Sequence, residues 1–106
     1  MTPQEYYEHA TTCLARAARW VDRVNDDGLD MTTTDGMVAL EFEDGSKYVL
    51  NRQSGNHQMW FAAGARAWHY DWDGGAWVDD RDRHPLESRI VEVVSTKLGR
   101  TVPPIE

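Results

Sequence analysis

The sequence predicts an α+β fold: a two-layer α/β sandwich in which a six-stranded antiparallel sheet carries N- and C-terminal helices packed on one face. Three observations carry this expectation. Apolar residues recur every three or four positions near both ends of the chain. Between those ends they alternate, and the alternating runs are divided by Asp-Gly and Ser-Gly-Asn turn signals. Each helical stretch and the sheet have one apolar side only, so the economical packing sets both helices against the same sheet face and leaves the other in water. The 106 residues suffice for one domain with a modest core, and no repeat or boundary divides residues 1–106.

Thr2-Pro3-Gln4-Glu5 reads as a helix start, with Thr2 as N-cap, Pro3 in the first turn and Glu5 closing a capping box. Tyr6, Ala10, Cys13, Leu14, Ala17, Val21 and Val24 form the buried stripe, with Trp20 at its edge. Asn25-Asp26-Asp27-Gly28 ends the helix, and Gly28 is the expected left-handed residue. Leu29–Thr34 is a short, Thr-rich strand. Asp35-Gly36 turns it into Met37–Glu43, and Asp44-Gly45 turns that into a run around Tyr48–Leu50. Gln58–Ala62 and Arg66–Trp72 follow, then Ala76–Asp79 after Asp73-Gly74-Gly75. Alternation puts Val38, Leu40, Phe42, Tyr48, Leu50, Met59 and Phe61 on the core face. Asp80-Arg81-Asp82-Arg83 is a solvated connector. A second helix starts near Pro85, buries Leu86, Ile90, Val93, Val94 and Leu98, and ends at Gly99 before Pro103-Pro104.

The formal net charge of −7 argues against nucleic acid and anionic membrane surfaces, which need a basic footprint, and favours cations or a basic protein patch. No apolar run is long enough to span a bilayer. Neither a signal peptide nor a basic, acid-poor leader is visible, and the expected location is the cytoplasm. The single cysteine, Cys13, forms no internal disulfide and sits on the core stripe, away from any activating His or Lys in sequence.

Two groups of residues carry the chemistry. The first is acidic. Asp22, Asp26, Asp27 and Asp30 gather where the first helix meets the first strand. Asp35 stands at the far end of that strand, and Glu41 and Glu43 on the next strand extend the rim. Clustered carboxylates repel, a bound cation relieves the repulsion, and exposed oxygen ligands suit hard ions held weakly. A buried di-iron centre lacks its Glu-x-x-His signature. A solvated acidic face without a ligand is the bland alternative. The second group, Asn51, Gln58 and Trp60, lies on the polar sheet face with Lys47 and His69 nearby. A tryptophan exposed among amides, with no large apolar neighbour, suits a protein hot spot or the stacking of a sugar ring. His9 and His57 are isolated candidates for a borderline metal.

The order Asp44-Gly45-Ser46-Lys47, Asn51-Arg52-Gln53, His57-Gln58-x-Trp60, Tyr70-Asp71-Trp72 and Trp77 resembles the frataxin family, in its bacterial branch, over nearly the whole chain. The resemblance implies weak binding of ferrous and ferric iron by an acidic ridge, onto which Asp22, Asp26, Asp27 and Asp30 map. It implies docking on the cysteine desulfurase and the iron–sulfur scaffold protein, with Asn51, Gln58 and Trp60 on the sheet-face contact, and a monomer in the absence of iron. The implied role is participation in iron–sulfur cluster assembly, its regulation and iron delivery, without covalent chemistry. Ferroxidase or iron-storage activity, and a pure protein-binding module using the Trp60 face, are the alternatives. Ala18 and Arg19 stand where the bacterial pattern often has acids. Arg16 and Arg23 dilute the charge further, which implies a thinner ridge and weaker iron binding; neutralisation of the ridge by Arg19 and Arg23 is left open by the sequence.

Overall fold

The computed structural model describes all residues, Met1–Glu106. The element order is α1 (Pro3–Val24), β1 (Leu29–Thr34), β2 (Met37–Phe42), β3 (Lys47–Gln53), a 3-10 turn (Ser54–Asn56), β4 (Gln58–Ala63), β5 (Arg66–Trp72), β6 (Trp77–Asp79) and α2 (Leu86–Leu98). The six strands form one antiparallel meander in the order β1-β2-β3-β4-β5-β6. Gly36 and Gly45 take positive φ of 83° and 87° in the two Asp-Gly hairpins, a conformation that favours glycine at the turn.

α1 starts as expected. Thr2 Oγ1 accepts from Glu5 N–H, and Glu5 Oε1 accepts from Thr2 N–H. Its end differs from the expectation. Asn25, at φ 47°, is the left-handed cap, while Gly28 remains outside that region. Asparagine tolerates this conformation, and Gly28 instead lies tight against Asp26 Oδ1 and the Glu43 side chain. Pro85 precedes α2 as its N-cap.

Both helices cover one sheet face. Ala17, Trp20 and Val21 of α1, Ile90 of α2, and Val38, Leu40, Leu50 and Phe61 of the sheet meet around one small apolar void. The whole α1 stripe is buried, and Trp20 is its centre rather than its edge, with 0% exposure. On α2, Leu86, Ile90 and Val94 are buried, whereas Val93 and Leu98 are half-buried at the rim. The residues after α2 also pack. Val102 is buried, Trp20 Nε1 donates to Pro103 O (2.6 Å), and Arg23 donates to Pro104 O (3.2 Å). Each side chain so buried contributes roughly 1.5–3 kcal/mol of apolar transfer free energy before the entropy of ordering is subtracted.

Candidate functional site: an acidic edge and an aromatic sheet face

The acidic residues separate by partner. Asp26 is tied down: Oδ1 accepts from Gly28 N–H and Oδ2 from Arg100 Nε at 3.1 Å. These two bonds, the backbone one first, hold its carboxyl below the usual range. Asp35 pairs with Arg52 (3.1 Å) at the opposite end of β1, and Glu41 accepts from Thr32 Oγ1 and lies 3.9 Å from Lys47. Asp22, Asp27, Asp30 and Glu43 have no salt-bridge partner and are exposed. Asp30 and Glu41 are register partners, so they stand side by side on the water face of the sheet. Leu29 points into the core and Asp30 away from it, whereas Asp22 projects from α1 in the other layer. The carboxylates therefore line the β1 edge as a strip, and no three His, Cys, Asp or Glu side chains converge on one point.

The neutralising cations are not the expected ones. Arg16 makes a bidentate pair with Glu87 (2.7 and 2.9 Å), and Arg23 reaches a carbonyl of the C-terminal segment. Arg19 is exposed without a salt bridge. Arg100 neutralises Asp26 instead, and it also donates to Val24 O at the end of α1. Arg100 lies 74 residues from Asp26, so no local pattern announces the pair. A basic residue next to the Gly99 cap was the only available signal.

The second group is assembled on the same water face of the sheet, farther from the β1 edge. Register places Asn51, Trp60 and His69 across β3, β4 and β5. Trp60 is half-buried, which corrects the expectation of an open ring. The His69 imidazole stacks on it with centroids 4.3 Å apart, and its Nε1 donates to Gln58 Oε1 at 3.0 Å. Gln58 Nε2 in turn donates to Asp71 (3.0 Å) and Asp80 (3.2 Å). The face also carries apolar neighbours, with Ala39 and Val78 buried and Val49 half-buried. Trp60 is thus fixed in orientation by two side chains. A pre-oriented aromatic ring loses little entropy on binding, which suits a contact anchor. Asn51 lies beside this network with its Nδ2 donating to Arg52 O.

The isolated histidines have other occupations. His57 stacks on Tyr6 (4.8 Å) and His9 on Trp72 (4.0 Å), so both serve as packing rings, and neither belongs to a group of three metal-binding side chains. Cys13 is buried, and desolvation pushes its thiol up to about 12, which leaves it protonated and inert at neutral pH.

An acidic edge joined to a six-stranded meander under two terminal helices defines a class of small α/β sandwich proteins; here the one thiol is buried and the carboxylates are spread along the edge. A family model described as the frataxin-like domain matches residues 1–100. The chain therefore belongs to the frataxin family. It is similar to the iron-sulfur cluster assembly protein CyaY of Variovorax paradoxus (strain S110), with 31% identity over 103 residues and 94% of each chain covered. Among solved structures, a frataxin from Psychromonas ingrahamii of the CyaY family superposes with a TM-score of 0.88 at 25% identity, covering 96% of both chains. A trimeric yeast frataxin solved in complex with ferrous iron shares the fold, with a TM-score of 0.59 at 24% identity and coverage of 92% and 86%. No helix is long and apolar enough to cross a membrane.

Proposed function

We propose that this chain binds iron weakly at the β1 edge and takes part in iron–sulfur cluster assembly. It regulates assembly by docking on the cysteine desulfurase–scaffold complex, and iron delivery accompanies the docking. The observation that carries the reading is the set of four unpaired carboxylates, Asp22, Asp27, Asp30 and Glu43, around one sheet edge in a family whose curated relative is a cluster assembly protein. Unpaired surface carboxylates offer oxygen ligands to iron and negative potential to a basic partner. Asp26, Asp35 and Glu41 already hold protein cations, so their share in iron binding is smaller. Asn51, Gln58 and Trp60 contact the scaffold protein, with the Trp60 ring as the anchor. The chain supplies no covalent step of its own, because Cys13 is buried and protonated.

The test is an amide-shift titration of the labelled protein, first with Fe²⁺ under argon and then with purified desulfurase. Shifts confined to residues 22–43 in both titrations support the reading. An iron titration that leaves those amides unmoved sinks the iron role.

A further inference from the structure

β1 has a neighbouring strand on one side only. Antiparallel pairs alternate between residues that exchange backbone hydrogen bonds and residues that do not. Phe42 N–H donates to Ser46 O, and Gly36 O accepts from Arg52 N–H, so the even-numbered residues of β2 turn their backbone groups toward β3. Their partners in β1 are Leu29, Met31 and Thr33. These three therefore aim their N–H and C=O groups out of the sheet. The Leu29 N–H is taken by Asp26 O, which leaves Met31 and Thr33 with a free donor and acceptor each, at ladder spacing.

A groove of about 320 Å³ opens between α1 and the β1–β2 hairpin, at the Thr33–Thr34 end of this edge. Leu14, Ala15 and Ala18 form its helical wall, and Thr33, Thr34 and Val38 its sheet wall. One end is closed by Arg52, whose guanidinium stands 5.1 Å from the centre of the exposed Tyr7 ring and 3.1 Å from Asp35. Toward the other end, Asp22 stands one helical turn beyond Ala18, and Asp27 and Asp30 flank the start of β1.

We propose that an extended segment of a partner protein adds to β1 as a seventh, hydrogen-bonded strand. Strand alternation specifies its chemistry. Residues on the helix side enter the groove beside Ala15 and Ala18 and are small and apolar. Residues on the water side, and those at the Asp22–Asp27 end, are Lys or Arg, facing Asp30 and its neighbours. A second copy of this chain fits less well, because it would bring two such acidic edges together on chains of net charge −7. This mode of docking rests on the proposed desulfurase contact at the acidic edge and specifies how it is made.

The probe is the capped peptide Lys-Val-Lys-Val-Lys-Val, with Lys-Pro-Lys-Pro-Lys-Pro as an equal-charge control that cannot complete a ladder. Strand addition slows hydrogen exchange at the Met31 and Thr33 amides at least about tenfold, and the proline peptide binds about tenfold more weakly. Thr33→Pro removes one outward N–H but no carboxylate and no β1–β2 bond. It lowers peptide affinity about tenfold, whereas Thr33→Val, which keeps the N–H, does not. Equal binding of the two peptides, or unchanged exchange at Met31 and Thr33 in the wild-type complex, overturns the proposal, and neither measurement depends on the variants folding. Concentration-dependent dimerisation that protects the same amides also overturns it and assigns the edge to a second copy. Desulfurase that binds wild type and Thr33→Pro equally rules out strand pairing and leaves charge-driven docking standing. Desulfurase that ignores the wild-type protein removes the docking reading itself.

Discussion

The sheet has two edges, and they are finished in opposite ways. β6 is three residues long and sealed: on its outer side Val78 bridges to Pro85 and Asp79 N–H donates to His84 O. Behind it the Asp79 carboxylate is 3% exposed and accepts from the N–H groups of Arg81 and Asp82, with Arg89 3.7 Å away. β1 is six residues long, Thr-rich and uncovered, and most of the carboxylates around it lack partners. Acids at the β6 edge are therefore structural ligands for the chain's own donors. Acids at the β1 edge are left for solvent, ions or a partner. An exposed edge strand is an aggregation liability unless charge guards it, and the aspartates at this edge provide such a guard.

That contrast is broken most sharply at Asp79. Asp79→Ala takes the acceptor from the part-buried N–H groups of Arg81 and Asp82 and leaves Arg89 with Asp82 alone, so stability falls by about 2 kcal/mol in denaturant unfolding, with iron affinity unchanged in the folded protein. An Asp79 variant as stable as wild type would mean the sealed edge does not depend on this carboxylate. Trp60→Ala comes next. It weakens the complex with the scaffold and desulfurase about thirtyfold, as expected for an aromatic hot spot, and spares Fe²⁺ binding measured by calorimetry. Loss of iron binding with the fold intact would reassign the metal site.

Asp27→Lys combined with Asp30→Lys tests the open edge. Iron and desulfurase affinities each drop about tenfold, the desulfurase effect shrinks as salt rises, and the melting temperature does not fall. Acid sharpens the same comparison. Backbone N–H donors, and then Arg89, hold Asp82 below the usual carboxylate range, and backbone N–H donors do the same for Asp73. A lowered folded pKa contributes stability that is present above about pH 4 and is lost as pH falls through the folded value. The melting temperature should therefore decline below about pH 4, and Asp82→Asn should flatten that decline. The smallest effect is a rise of about a degree or two on adding salt or Mg²⁺, from relief of repulsion among the unpaired acids. A protein whose melting temperature ignores both would be one whose edge is neutralised internally.

Both edges follow local rules where the fold was legible in sequence and non-local ones where it was not. Thr2-Pro3-x-Glu5, the two Asp-Gly hairpins, the Arg66–Trp72 alternation and the Gly99 cap each act within a few residues, and each element appears where those signals put it. The candidate residues of the edge and the sheet face were also readable, because helix end, strand and register follow from the same signals. Their partners were not. Arg100 on Asp26, Arg52 on Asp35 and His69 on Trp60 are set by tertiary approach, and sequence proximity favoured Arg19 and Arg23 instead. The cap falls at Asn25 rather than Gly28, whose N–H closes a local turn onto Asp26 Oδ1 and whose place beside Glu43 is set only in the folded state.

The segment after α2 sets the timetable of folding during synthesis. α1 leaves the ribosome first, yet the Trp20 indole waits for the carbonyl of Pro103, 83 residues later, and Val102 fills the core only then. Until that point the nascent chain carries an amphipathic helix and a meander whose shared core is incomplete. Contacts this distant in sequence slow the final step and lengthen exposure of apolar surface. Clipping the chain after Gly99 should therefore harm yield in cells more than the few lost residues suggest.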